Sequence, residues 1–275
     1  MNKPLHWRLP GLDLHGEARG SNPSAIFLHG FGGCMLDWDS LWTHLDPALA
    51  AIRYDLRDFG QSSAHDARPF SHSDDLLALI DAQGIARADL IGISMGGAVA
   101  ANFALDHPDR VRRLTLISPL LLAWDWSQNW RDLWQAITDR ARSDDMEGAR
   151  RLWAAHPLFA TAHTKPEAAA ALIEGIARYS GAQWIADHQR PSLPDIDRLP
   201  MLSCPTLLLS GEHDLPDFRL IADLVEGCAR DVRRIDFQGC GHMLTLEAPK
   251  ACAKAIGGFL LDNEIANDSA IPTVD

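Results

Sequence analysis

Three residues far apart in the chain are the best suited to do chemistry. Gly92-Ile93-Ser94-Met95-Gly96 spells G-x-S-x-G. It sits between an apolar run at 90–93 that reads as a strand and an Ala-rich stretch at 95–106 that reads as a helix. A strand turning sharply into a helix holds its apex residue in a strained conformation, with room only for glycine two positions to either side. The apex hydroxyl then stands exposed beside free helix N–H groups and a partial positive charge. A serine hydroxyl is a weak nucleophile and needs a base, and the base needs a group to orient it. Asp214, in Gly211-Glu212-His213-Asp214, follows the apolar run 206–209. His242, in Gly239-Cys240-Gly241-His242, follows the run 232–237, where the two glycines make a flexible turn able to deliver an imidazole. The expected roles are Ser94 nucleophile, His242 base and Asp214 orienting acid. Asp217 and Asp125 could replace Asp214, although a helix cap or surface charge is the plainer reading of each. Acyl transfer also needs donors for an oxyanion. One is the backbone N–H of Met95. The other is expected from the loop His29-Gly30-Phe31-Gly32-Gly33 after the run 25–28, with Phe31 as the donor and His29 as a structural hydrogen-bonding residue.

These groups must be positioned by alternating elements. Apolar runs at 25–28, 51–54, 90–93, 114–117, 206–209 and 232–237 read as strands. Helices are expected over 73–83, 95–106, 217–228 and 249–261. Such alternation gives a mainly parallel, doubly wound α/β sheet, with 5–9 and 12–18 as an antiparallel hairpin at one edge. The alternation stops between Pro119 and Pro200, which reads as all helical. Thr164-Lys165-Pro166-Glu167 looks like a capping box opening a helix toward Tyr179. The expected organisation is core 1–118, helical cap 119–200 inserted after the sixth strand, core 201–262, and a frayed tail 263–275.

Composition narrows the function. The chain has 275 residues, 25 Lys+Arg against 37 Asp+Glu, and a net charge of −12. At this length it buries roughly 75% of its unfolded surface. Disorder and disulfide scaffolds are excluded, and an acidic surface argues against nucleic acid. Five scattered cysteines form no C-x-x-C pair, so no metal site is expected, and free thiols suit a reducing cytoplasm. No apolar run is long enough for a membrane span, and the N-terminus lacks a signal-peptide pattern.

The sequence resembles the α/β-hydrolase superfamily over nearly its full length, and the serine carboxylesterase and enol-lactonase branch within it. The resemblance rests on residues 29–33, Asp55-Leu56-Arg57-Asp58-Phe59-Gly60-Gln61-Ser62, residues 92–97, 211–214 and 239–242. Asp58 departs from the usual glycine. Ser94 excludes the aspartate-nucleophile chemistry of the dehalogenases and epoxide hydrolases of this superfamily. Phe31-Gly32-Gly33 and Ile93 depart from the carbon–carbon bond hydrolases, and Ala98 from the menaquinone-pathway lyase. The resemblance implies a helical cap over the nucleophile. Six of the nine tryptophans lie in that insertion. Trp124, Trp130, Trp134 and Trp153, with Met243, are the expected substrate contacts, lining an apolar pocket. Arg131, Arg140, Arg142, Arg150 and Arg151 are expected on solvated helix faces. The expected protein is a cofactor-free cytoplasmic monomer or homodimer hydrolysing a small apolar or aromatic ester through an acyl-enzyme. A lactonase with the same triad is the alternative; a carbon–carbon bond hydrolase or a hydrolase-fold ligand receptor comes after it.

Overall fold

The computed structural model describes residues 2–261, so the expected tail at 263–275 lies outside the described residues. Chain order gives β1 (Lys3–Leu9), β2 (Leu12–Arg19), β3 (Ala25–Leu28), α1 (Asp39–Trp42), β4 (Ala51–Tyr54), β5 (Ser63–Ala64), α2 (His72–Ala82), β6 (Ala88–Ile93), α3 (Met95–Asp106) and β7 (Val111–Ile117). Five helices follow: α4 (Gln128–Arg142), α5 (Met146–Ala154), α6 (Ala160–His163), α7 (Pro166–Arg178) and α8 (Ala182–Ile185). The alternation resumes with β8 (Thr206–Gly211), α9 (Pro216–Cys228), β9 (Val232–Phe237), α10 (Leu244–Glu247) and α11 (Pro249–Leu261).

Among the described residues the strands form one nine-stranded sheet in the order β1-β2-β4-β3-β6-β7-β8-β9, with β5 paired to β2. Strand β2 runs against both β1 and β4, and every pair from β4 to β9 is parallel. The period of two along each strand explains why both sheet faces are covered. Ile26, Leu28, Leu90, Leu116 and Leu208 face one core with α2, α3 and α9. Phe27, Ile91, Ile93, Ile117, Leu207 and Leu209 face the other with α1 and α11. Apolar residues on both faces of a strand need helices on both sides. The chain leaves β3 toward β4 on one side and returns to β6 on the other. The carboxyl ends of β3 and β6 therefore form the switch point where open α/β sheets bind ligands.

Three expectations need correction. The short β5 had no apolar run to announce it, so the insertion follows the seventh strand instead of the sixth. The insertion is not helical throughout: between α8 and a 3-10 helix at Ile196–Met201 the chain has no regular structure except at Gln189, which bridges to Phe70 beside α2. Thr164 does not open α7; it is the C-cap residue of α6. Its hydroxyl donates to the Thr161 carbonyl at 2.7 Å, and α7 begins with Pro166 after Lys165, because proline at the first helical position presets the backbone angle.

The loop after β4 accommodates its unusual aspartate. Asp58 has φ 62°, a left-handed conformation that explains the family's glycine. Its carboxylate accepts the Ala64 N–H at 2.8 Å, a local bond open to aspartate and not to alanine. Asp58→Ala is expected to destabilise the protein by about 1–2 kcal/mol and Asp58→Gly by less than that. Urea unfolding of the two variants checks the order; equal losses would remove the conformational explanation.

Candidate active site

The serine turn is built by crowding. Ser94 has φ 52° and ψ −115°, outside the regions an L-residue prefers. A Cβ on Gly96 would lie 2.2 Å from the Leu28 carbonyl oxygen, and one on Gly92 would lie 2.2 Å from the Gly96 carbonyl oxygen. Only glycine lets the first turn of α3 pass this close to the end of β3. The turn is fixed by Ser94 N–H donating to the Ile117 carbonyl at 3.0 Å and by the Ser94 carbonyl accepting from Ala98 and Leu120. Ser94 is half-buried and lines a cavity of about 660 Å³.

His242 and Asp214 meet at the ends of β9 and β8. Imidazole Nδ1 lies 3.0 and 3.1 Å from the two carboxylate oxygens, and both side chains are buried. The carboxylate also accepts the Leu215 N–H at 2.7 Å. With Nδ1 engaged, Nε2 is the nitrogen left for proton transfer. His242 lines the same cavity as Ser94. Among the described residues no hydrogen bond joins the two.

The alternative acids stand elsewhere. Asp217 is buried and accepts from Trp124 Nε1 (3.1 Å), Ser127 N–H (3.2 Å) and Ser127 Oγ (2.6 Å), tying the start of α4 to the core. Asp125 is exposed and pairs with Arg131. His29 acts structurally, as expected: Nε2 accepts the Leu56 N–H at 3.0 Å and Nδ1 donates to the Gly30 carbonyl at 2.8 Å. Full burial pushes its pKa down, consistent with that neutral tautomer. Phe31 and Met95 both line the cavity, and among the described residues neither backbone N–H has an intramolecular acceptor.

The cavity wall is aromatic. Trp130, Trp134, Trp153 and Met243 line it, as does Trp126, which was not among the expected contacts. Trp124 does not, because its indole is turned to Asp217. Trp126 stacks on Trp130 at 4.3 Å, and the rings of Trp130 and Trp134 lie within 8° of parallel. The Phe31 ring packs edge-on against Trp134 and Tyr179, so the loop carrying its N–H is braced by the insertion. Phe218 lies against both Trp126 and His242. Arg150 is not on a solvated face: it donates twice to the Tyr179 carbonyl. His156 was also missed. It is buried between Trp130 and Trp153, its Nδ1 accepts the Leu158 N–H, and burial, helped by the charge of nearby His242, lowers its pKa to about 4.

A sheet with one reversed strand, a strained serine at its switch point and an Asp–His pair after two later strands define the α/β-hydrolase class. The chain has the α/β-hydrolase fold, and residues 23–157, just under half of it, match the family described as alpha/beta hydrolase fold. A 2-hydroxy-6-oxo-6-phenylhexa-2,4-dienoate hydrolase of Comamonas testosteroni is 34% identical over 113 residues, covering 38% of this chain and only 40% of that relative. The enol-lactonase from Burkholderia xenovorans LB400 superposes with a TM-score of 0.79 at 22% identity, covering 94% of this chain and 100% of that one. A thermophilic esterase from Thermogutta terrifontis superposes with a TM-score of 0.77 at 25% identity, covering 94% and 98%. Among the described residues no helix is long and apolar enough to cross a membrane.

His156 gives the site a pH signature. Its pKa falls from 6.5 in the unfolded chain to about 4 in the folded one. Between those values the unfolded chain binds more protons, so this group's contribution to stability is lost as pH drops from 6.5 toward 4. His156→Asn keeps an acceptor for the Leu158 N–H and removes the titration. Its melting temperature is expected to gain on that of the parent as pH falls through this window. Parallel curves from pH 7 to pH 4 would contradict the burial argument.

Proposed function

We propose that the chain is a serine hydrolase of carboxylic esters, with Ser94, His242 and Asp214 as its triad and Phe31 and Met95 as its oxyanion donors. The observation that carries this reading is that the strained Ser94 turn opens on the same cavity as the Asp214-bound imidazole. His242 Nε2 takes the Ser94 proton as Oγ attacks the ester carbonyl. The oxyanion accepts from the Phe31 and Met95 N–H groups. The tetrahedral intermediate collapses, His242 protonates the departing alcohol, and Ser94 is acylated. Water then gives a proton to His242 and attacks the acyl carbon. Collapse releases the acid and returns the proton to Ser94. Asp214 holds the tautomer and stabilises the imidazolium throughout. Residues 119–200 act as the cap.

The indole wall supports an ester with a bulky apolar or aromatic part. Lactone hydrolysis is the second reading, supported by the same triad and by the likeness to an enol-lactonase across 94% of this chain. Carbon–carbon bond hydrolysis has the Comamonas relative in its favour, but that match covers 40% of the relative, and Ile93 and Phe31-Gly32-Gly33 depart from the pattern of those enzymes.

A panel of p-nitrophenyl esters of rising chain length, aryl esters, an enol-lactone and a homoserine lactone separates these readings, with a serine-directed phosphonate as titrant. Aryl esters are expected to turn over fastest. Ser94→Ala is expected to lose turnover on the order of 10⁶-fold, and Asp214→Asn about 10⁴-fold. An Ser94→Ala loss below about tenfold would remove Ser94 from the role of nucleophile. Stoichiometric, tight binding of the ester without multiple turnover would favour a receptor instead.

A further inference from the structure

We propose that Glu247 is a positioning residue for His242, and that the cap supplies its counter-charge through Lys165. This rests on the reading of His242 as the general base. The Glu247 side chain is fully buried. Its Oε2 accepts the Gly241 N–H at 2.7 Å and its Oε1 accepts the Met243 N–H at 3.1 Å. One carboxylate thus holds the residues on both sides of His242. The Glu247 N–H donates back to the Met243 carbonyl at 2.8 Å, so the one-turn helix α10 closes the histidine loop into a ring.

The flexible turn expected from Gly239 and Gly241 is therefore pinned. Gly239 N–H donates to Glu212, the Cys240 carbonyl accepts from His213, and a Cβ on Gly241 would lie 2.7 Å from Thr161 Oγ1. A glutamine could not replace the acid. Its amide oxygen can accept one N–H, but its NH₂ would face the other donor.

Burying a carboxylate is costly, and an apolar group of similar size often serves stability as well or better. Its use beside the base is therefore attributed to geometry. The imidazole must keep Nδ1 on Asp214 while Nε2 serves Ser94, and a small rotation of residue 242 breaks one of the two. Lys165 comes from the cap, just before α7. Its Nζ donates to the Glu247 carbonyl at 3.3 Å and to Cys240 Sγ at 3.4 Å, and lies 3.9 Å from Glu247 Oε2. Helix α7 lines the cavity with Ala171, Leu172, Gly175 and Ile176. The far wall of the pocket and the base are thereby anchored on one buried charge.

The test is a double-mutant cycle on a p-nitrophenyl ester, with folding followed by circular dichroism. Glu247→Gln is expected to lower kcat about 10²-fold with KM within about twofold of the parent. In a His242→Ala background the same change is expected to cost nothing further, because its route to the chemistry is gone. An unchanged kcat, or an equal loss in both backgrounds, overturns the proposal. Full activity of His242→Ala alone overturns the base assignment first, and the positioning role with it. Lys165→Met, at a partly exposed site, is expected to lower kcat about tenfold with recovery in Lys165→Arg. Should Glu247→Gln fail to fold, unchanged turnover in Lys165→Met overturns the proposal by itself.

Discussion

The first turn of α3 passes the end of β3 so closely that the Leu28 carbonyl and the backbone of Gly96 leave no space for a side chain. Ser94 takes up the consequence, with a backbone conformation that costs of order 1–3 kcal/mol and persists only because its surroundings impose it. Those surroundings are the parallel pairing of β6 with β3 and β7 and the hydrogen bonds from Ser94 to Ile117, Ala98 and Leu120. The strain places a hydroxyl at the sheet's switch point, next to a helix start and a glycine loop. Loosening the crossing would relax the serine and withdraw the hydroxyl together.

Two histidines after two parallel strands show how partners decide a role. His29 spends both ring nitrogens on backbone groups, and its burial is complete. It braces the β3 and β4 loops and has no nitrogen left for substrate. His242 spends one nitrogen on a carboxylate and keeps the other. The same imidazole is structural in one setting and available for proton transfer in the other. Its neighbours in sequence, glycine on one side in each case, would not distinguish them; position along the sheet does.

The elements that position the site were legible because each carries a strong local signal. Both-face apolar runs marked the parallel strands, and Gly92 and Gly96 marked the turn. What escaped reading depends on contacts between distant segments. Strand β5 has two residues and no period to detect. The irregular stretch after α8 is held by Phe70, far away in sequence. Trp126 shares the helical spacing of Trp130 and Trp134, which Trp124 does not, although both precede α4; a hydrogen bond to Asp217 turns Trp124 away and stacking on Trp130 brings Trp126 to the cavity. Glu247 lies one helical turn beyond a histidine loop, and its burial becomes apparent only when the loop is seen folded around it.

The division of labour between sheet and insertion follows from these attachments. The proposed nucleophile, base and acid all follow strands of the sheet, whereas much of the aromatic wall comes from α4 and α5. Yet the insertion is not a loose lid over a finished site. Asp217 holds the approach to α4, Lys165 holds the start of α7 against the histidine loop, and the Phe31 ring lodges among Trp134, Trp153 and Tyr179. A substitution in the wall that leaves these three attachments intact alters the shape presented to substrate. One that disturbs Phe31 also moves a backbone N–H assigned to the oxyanion. Selectivity and rate are thus inseparable at Trp134, whose ring supports Phe31 at 4.9 Å, whereas the Trp130 ring makes no contact with Phe31 and reaches it only through Trp134.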